Sequence, residues 1–230
     1  FRLATAALSL GSILVFSNVH MTQPLLPLLA QQFQLIELQA SWSLTMTLLA
    51  LGVSLLVYGP LSDALGRKRI MVVSMSGAVL STLVLSQVDT YSALVLWRGI
   101  QGFCLGGLPA IAIAYMGDEF TRKAVAVAVG FYISANSIGG VIGRLLSGFV
   151  GEYFGWSATF LVMGCVSFIL LVLFIIMLPS SRHFEPKRLD FGQVISDIKF
   201  HLHNPVLVIA YLIAGGNFMI FIHQYSYITF

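Results

Sequence analysis

Seven apolar stretches, each about as long as a bilayer is thick, constrain the fold of this chain more than any other feature. A helix rises about 1.5 Å per residue, so about 20 apolar residues cover the hydrocarbon core. Lipid offers no hydrogen-bond partner, so the backbone of each crossing segment must be helical. We therefore predict seven transmembrane spans: Leu3–Leu29, Ser41–Leu61, Ile70–Val88, Ala93–Met116, Ala124–Val150, Ser157–Leu178 and Val206–Phe230.

The composition agrees with a membrane protein. Charged residues make up only 9% of the chain and hydrophobic residues 58%, whereas soluble domains carry about 25% charged residues. So few charges cannot cover a water-facing surface, and most of the surface must face lipid. Cys104 and Cys165 lie in apolar stretches without a CxxC spacing, so we expect no metal site, disulfide framework or cofactor.

The basic residues predict the orientation of the spans. Ten of the twelve Lys and Arg residues fall on one side of the predicted membrane, and the opposite connections hold none. Positive residues stay on the cytoplasmic side, so this side and the N-terminus are predicted to be cytoplasmic. Nucleic acid is not an expected partner, because the net charge of +3 is spread over four loops. The ten residues are Arg2, Arg67, Lys68, Arg69, Arg122, Lys123, Arg182, Lys187, Arg188 and Lys199.

Two short segments repeat one pattern in opposite orientations. Gly59–Gly66 and Gly148–Gly155 each read Gly, three residues, an acid, two residues, Gly, and they lie 89 residues apart (148 − 59). The first joins spans two and three on the inside, and the second joins spans five and six on the outside. This arrangement predicts two three-helix units of inverted topology. Chance is the alternative, because only eight positions are compared.

The segment Gly59–Arg69 resembles the signature Gly-x-Leu-Ala-Asp-Arg-x-Gly-Arg-Lys of the major facilitator superfamily, with Ser62 and Ala64 as departures. The resemblance implies an all-α membrane protein whose N-terminal six-helix bundle consists of two inverted three-helix repeats, followed by the start of the C-terminal bundle. It also implies a cytoplasmic latch that holds the C-terminal half in one access state. The alternative is a polar hairpin that carries positive-inside charges. The predicted latch residues are Gly59, Asp63, Gly66, Arg67, Lys68 and Arg69.

In span four, Arg98-Gly-Ile-Gln101-Gly resembles a second signature of the family, Arg-x-x-Gln-Gly. The family implies that this arginine helps to couple proton movement to transport. Gln101 lies on the same side of the helix at i+3. The alternative is an arginine that snorkels to the outer interface, since Arg98 lies only about 8 Å along the helix from Ala93.

Span five carries small residues at every fourth position, which lets another helix approach closely. Its glycines Gly130, Gly139, Gly143 and Gly148 are predicted to pack against other helices, and they match the spacing of a signature that the superfamily associates with exporters. Arg144 replaces the proline of that signature. We expect Arg144 to lie near the outer interface, where it either snorkels or binds an anionic group. The stripe consists of Ala135, Gly139, Gly143, Ser147 and Gly151.

Span one loosely resembles a first-helix signature of drug–proton antiporters that ends in proline, here Pro27. The acidic residue of that signature falls at Asn18, which cannot titrate. His20 is the titratable group nearby, and histidine titrates near neutral pH. A hydrogen-bonded packing residue is the alternative for His20. No Asp or Glu lies deep in a predicted span, so a coupling carboxylate is expected in the C-terminal half or at Asp63.

We expect a piece of a longer protein, because the chain begins at Phe1 rather than Met and ends at Phe230 within an apolar stretch. The predicted organisation is a six-helix bundle over 1–178, a cytoplasmic central loop over 179–205 and span seven over 206–230. The loop is predicted to contain an amphipathic helix on the inner leaflet, because several apolar residues fall on one helical face. These residues are Phe191, Val194, Ile195, Ile198 and Leu202.

Together these patterns predict a secondary transporter that works by alternating access, similar to the proton-coupled drug and sugar efflux branch of the superfamily. The resemblance implies the lipid bilayer, a small organic substrate, protons and the C-terminal half as partners, in a bacterial inner membrane. An importer of a small metabolite and a non-transporting sensor or scaffold remain alternatives. A channel would need a continuous polar stripe along several spans, and an enzyme a nucleophile–base or metal cluster. Neither is visible in the sequence.

Overall fold

The structure is a computed structural model that describes residues 1–181, 192, 196, 199–201 and 203–227. This part of the chain is helical and contains no strand. The amphipathic helix predicted between spans six and seven lies outside the described residues. The elements are α1 (Arg2–His20), a 3-10 turn (Gln23–Leu25), α2 (Leu26–Phe33), α3 (Glu37–Leu65), α4 (Arg67–Leu85), α5 (Tyr91–Leu105), α6 (Gly107–Glu119), α7 (Arg122–Met177) and α8 (Pro205–Tyr227).

Among the described residues, five helical stretches are long and apolar enough to cross a membrane. The longest, α7, has 56 residues and is interrupted at Gly155, whose backbone (φ 85°, ψ 170°) is not helical. It therefore contains both predicted spans five and six. Two other stretches are also broken. Arg2–Phe33 is broken by the 3-10 turn between α1 and α2, where Pro24 and Pro27 lie, since proline cannot donate a backbone hydrogen bond. Tyr91–Glu119 is divided into α5 and α6 at Gly106. The five stretches are Arg2–Phe33, Glu37–Leu65, Arg67–Leu85, Tyr91–Glu119 and Arg122–Met177.

The connection between spans two and three is shorter than its sequence pattern indicates. Helix α3 continues through Gly59 and Pro60 to Leu65, and α4 begins at Arg67. Gly66 alone leaves the helical conformation, with φ 102°, a region that residues with a Cβ rarely adopt. Of the two glycines of the repeated pattern, only the second, Gly66, therefore forms the turn.

The two copies of the repeat break their helices at equivalent positions. Gly66 and Gly155 are 89 residues apart (155 − 66), and they are the two glycines of the described chain with positive φ. Each follows an acidic residue by three positions, Asp63 in one copy and Glu152 in the other. The shared break supports an inverted repeat over a chance match.

The first half of α7 packs along α1 through its small residues. A Cβ added at Gly139 or Gly143 would come within 3.0 Å of main-chain atoms of Ile13 or Ser17 in α1. The whole predicted stripe from Ala135 to Gly151 is buried. Gly130 differs from the prediction: it is exposed, and a Cβ there would meet nothing within 4 Å. At Gly148 an added Cβ would make only an ordinary contact with Pro24, at 3.7 Å.

The chain divides into two compact units, Phe1–Pro186 and Lys187–Phe230. The first unit is the bundle of α1 to α7, whose apolar core runs between α1, α4, α6 and the second half of α7. The second unit contains α8, an apolar helix of 23 residues that begins at Pro205. Residues 206–227, the part of predicted span seven that the structure describes, lie in this helix.

Candidate functional site

At the end of the bundle that holds most of its basic residues, Arg67 joins three helices. The reversal at Gly66 brings the first residue of α4 next to the last turn of α3, and Arg67 Nη1 lies 2.8 Å from an oxygen of Asp63. The same nitrogen donates to the Ser62 hydroxyl at 3.3 Å. Arg67 Nε donates to the carboxylate of Asp118, near the end of α6. Arg67 is therefore held by two carboxylates that belong to different helices.

The neighbouring cations of the predicted latch have different roles. Lys68 Nζ donates to the carbonyl oxygens of Ile175 (3.2 Å) and Leu178, at the C-terminal end of α7. A cation at this position satisfies carbonyls that the helix leaves open and favours its negative dipole end. Arg69 is exposed, and it forms no ion pair within the described residues. A Cβ at Gly59 would meet nothing within 4 Å.

A second polar cluster lies inside the bundle and centres on Asn18, which is fully buried. Its side-chain nitrogen donates to the Leu14 carbonyl at 2.9 Å and to Ser167 Oγ in the second half of α7 at 2.7 Å. Its side-chain oxygen accepts from Thr82 in α4 at 2.9 Å and from Gln101 in α5 at 3.1 Å. Asn18 thus connects α1 with three other helices.

Arg98 points into this cluster rather than towards the interface. It is fully buried, and its Nη1 donates to Gln101 Oε1 and, at 3.3 Å, to the Asn18 carbonyl. The snorkelling alternative is therefore wrong for the described bundle. Nε and Nη2 of Arg98 have no hydrogen-bond partner within the described chain. The two ion pairs found in that part of the chain both belong to Arg67, so no described carboxylate offsets the buried charge of Arg98.

A third cluster surrounds Arg144 in the first half of α7. Arg144 Nε donates to Gln23 Oε1 at 3.1 Å, and Nη2 lies 3.0 Å from Nδ1 of His20. Arginine is always a donor, so Nδ1 accepts and the His20 ring in this arrangement is neutral. Gly140 leaves room for the contact, because a Cβ there would lie 3.1 Å from Cδ2 of His20. The Arg144 side chain turns towards α1 instead of extending to the interface.

No group of three His, Cys, Asp or Glu side chains among the described residues is arranged to hold a metal ion. The three clusters instead consist of arginines with amide, hydroxyl and carboxylate partners. Two of them place an arginine within the membrane-spanning part of the bundle, where charges are costly and mark functional sites.

The model of the Major Facilitator Superfamily matches residues 8–230. The chain belongs to this superfamily. It is 38% identical over 225 residues to the uncharacterized MFS-type transporter YybF of Bacillus subtilis. This match covers 96% of this chain and 56% of that protein. It is 33% identical over 230 residues to the inner membrane transport protein YnfM of Escherichia coli, with coverages of 99% and 55%.

The fold of this major facilitator chain is also similar to that of the human organic anion transporter MFSD10. The TM-score is 0.68 at 19% identity, and the match covers 85% of this chain and 52% of that one. The chain spans about half the length of the curated relatives it matches. The fold is therefore that of the N-terminal half of a major facilitator protein, and the chain is a multi-pass membrane segment.

Several partners in this major facilitator bundle were not predicted. Asp118 binds Arg67 although the two are 51 positions apart in the sequence. The sequence shows only that Asp118 is an acidic residue near the end of a span, on the same side as the basic loops. Thr82 and Ser167, which bind Asn18, gave no signal, because hydroxyl residues are common in transmembrane helices and usually bond their own backbone.

Proposed function

We propose that this chain forms the N-terminal half of a secondary active transporter that works by alternating access. The observation that carries the proposal is the arrangement of Asp63, Arg67 and Asp118 around the reversal at Gly66. All three residues belong to the N-terminal half, and their ion pairs hold Asp63 and Arg67 at the junction of α3 and α4. The resemblance implies that Asp63 contacts the C-terminal half in one access state, so this junction is proposed as one side of a latch that closes the cytoplasmic side in that state only.

We further propose proton-coupled efflux of small organic molecules such as drugs, sugars or metabolites, in a bacterial inner membrane with the N-terminus in the cytoplasm. The glycine spacing from Gly130 to Gly148 supports export. Arg98, held by Gln101 and Asn18, is the candidate for coupling, because its buried charge has no described carboxylate partner. The described spans bury no Asp or Glu, so the proton acceptor is proposed to lie in the C-terminal half or at Asp63.

Import of a small metabolite is the second candidate, and Arg144 favours it. Arg144 occupies the position where the exporter signature has proline, a residue that would bend the helix. Its guanidinium forms hydrogen bonds with His20 and Gln23. In an importer, this arginine and His20 are the candidates for contact with an anionic group of a substrate that enters from outside.

The test uses the full-length transporter in everted and right-side-out membrane vesicles with an imposed proton gradient, and ethidium and radiolabelled arabinose as probes. Gradient-driven accumulation in everted vesicles supports export, and accumulation in right-side-out vesicles supports import. Asp63→Asn is expected to lower the flux by up to about fivefold, since an ion pair whose carboxylate is 36% exposed contributes up to about 1 kcal/mol.

The matched control is Glu152→Gln, which changes the equivalent acid of the other repeat copy. Glu152 is exposed, and this variant is expected to keep the flux within about twofold, in line with the usual effect of a surface substitution. Equal flux in wild type and Asp63→Asn, at equal membrane expression, would contradict the latch. A sensor or scaffold is favoured if neither probe shows gradient-dependent flux and if spin-label distances are the same with and without the gradient.

A further inference from the structure

A groove lies beside the predicted latch, between the beginning of α4 and the end of α7. Its volume is about 450 Å³, within the range of about 300–1,000 Å³ typical of sites for small ligands. Its lining includes the basic run and several apolar side chains. The lining consists of Leu65, Gly66, Arg67, Lys68, Arg69, Val72, Val73, Ile175, Ser180 and Ser181.

The charged side chains among the described lining residues are all basic. Arg67 is engaged by Asp63 and Asp118, so it contributes little net attraction. Lys68 is held by two carbonyl oxygens, which leave its charge uncompensated by any carboxylate. Arg69 is exposed and forms no ion pair in the described chain. None of the described residues that line the groove is Asp or Glu, so Lys68 and Arg69 attract an anion there.

One further feature suits a phosphate of either source, and a second suits a phospholipid rather than a soluble anion. The Ser181 hydroxyl is buried and has no hydrogen-bond partner within the described residues, and it would donate a hydrogen bond to a phosphate oxygen. The remaining walls are exposed and apolar, with Val73 62% exposed and Leu65 47% exposed. Acyl chains would cover such walls, whereas a free phosphate would leave them in contact with water.

We infer that this groove binds the headgroup of an anionic phospholipid of the cytoplasmic leaflet, with Arg69 and Lys68 on the phosphate and Val73 against an acyl chain. Basic pockets between transmembrane helices on this side are suited to acidic headgroups, because the inner leaflet is rich in anionic lipid. Lys68 also caps the C-terminal end of α7, so a bound headgroup would lie beside the contact between spans three and six. This inference uses the proposed orientation but not the proposed transport activity.

The experiment measures binding of phosphatidylglycerol to the purified full-length transporter in detergent, by native mass spectrometry and by the rise in the unfolding midpoint. Phosphatidylcholine tests the need for an anionic headgroup, and inorganic phosphate tests whether a free anion is sufficient. Arg69→Gln is expected to weaken phosphatidylglycerol binding about fivefold, the factor that corresponds to ~1 kcal/mol per basic residue near a membrane surface. Val73→Asn is expected to weaken it as well, through the acyl chain.

The matched control is Lys123→Gln, which removes an exposed cation of the same side outside the groove and is expected to leave binding unchanged. Arg69→Lys keeps the charge and is expected to restore most of the affinity, which separates charge loss from misfolding. Unchanged binding in Arg69→Gln would overturn the inference, and so would equal losses in Arg69→Gln and Lys123→Gln. Inorganic phosphate that binds as tightly as phosphatidylglycerol, or phosphatidylcholine that binds equally well, would also overturn it.

Discussion

The two copies of the repeat share a backbone break at a glycine but differ in the side-chain contacts around it. Both break their helices at a glycine with positive φ, 102° at Gly66 and 85° at Gly155. At Gly66 the next residue is Arg67, which binds two carboxylates. At Gly155 the next residue is Trp156, whose ring packs against Phe33 and Phe160 with centroid distances of 5.7 and 6.2 Å.

The two junctions therefore respond differently when their helices move. Ion pairs at a helix junction depend steeply on geometry and exchange partners when helices rotate, whereas an aromatic cluster loses buried area in any displacement. Glu152, the counterpart of Asp63, is exposed and forms no ion pair in the described part of the chain. We therefore propose that the inner junction switches during transport and that the outer junction holds spans five and six at a constant angle.

Removal of the central cation tests this contrast with the largest expected effect. Arg67→Gln leaves Asp63 and Asp118, whose side chains are 36% and 40% exposed, without their shared partner. Two partly exposed ion pairs together contribute up to about 2 kcal/mol, so we expect gradient-driven ethidium flux by the full-length transporter in everted vesicles to fall by about tenfold. Lys123→Gln is the control at equal expression. A variant that transports like wild type would show that the ion pairs are incidental surface contacts.

The shared backbone is tested by replacing the two glycines. Gly66→Ala and Gly155→Ala place a Cβ at a positive φ, which costs about 1–3 kcal/mol at such positions. We expect both variants to lower the unfolding midpoint in detergent by similar amounts. Gly59→Ala, at a helical position with open space around it, is expected to be neutral or slightly stabilising. If only one of the two glycines is sensitive, the copies are not structurally equivalent.

The role of the outer junction is tested by removing its aromatic ring. Trp156→Ala loses two aromatic contacts, each worth about 0.5–1.5 kcal/mol beyond the buried area. Thermal unfolding of the full-length protein is expected at a lower temperature, while the flux of the variant, normalised to folded protein, stays near that of wild type. Trp156→Phe should recover most of the stability. A large loss of flux without a loss of stability would place switching at this junction too.

The smallest effect is expected at Lys68. Lys68→Met removes the cap on the last carbonyls of α7, and a cation at a helix C-terminus contributes about 0.3–1 kcal/mol. Hydrogen exchange of the amides in the last turn of α7 should become a fewfold faster, while Lys68→Arg should leave it near wild type. Exchange that does not change would indicate that other contacts hold this helix end.

Properties that depend on local composition could be predicted from the sequence. Span positions follow from hydrophobicity, because a bilayer imposes one length and one backbone structure on each crossing segment. The junctions at Gly66 and Gly155 also follow from the sequence, because the glycine and acid spacing recurs in both copies. Helix boundaries were less accurate, since α3 extends beyond the apolar stretch to Glu37 and Leu65, where polar residues continue the helix.

Only the tertiary structure decided which polar groups meet. Asp118 reaches Arg67 across 51 residues, and Arg144 reaches His20 across 124, and neither pairing has a local signal. Arg98 illustrates the reason: its depth along the span suggested the interface, but the rotation of α5 directs it to Asn18 and Gln101. Composition sets which segments cross the membrane, whereas the rotation and spacing of packed helices, set by small residues such as Gly139 and Gly143, determine which side chains share a site.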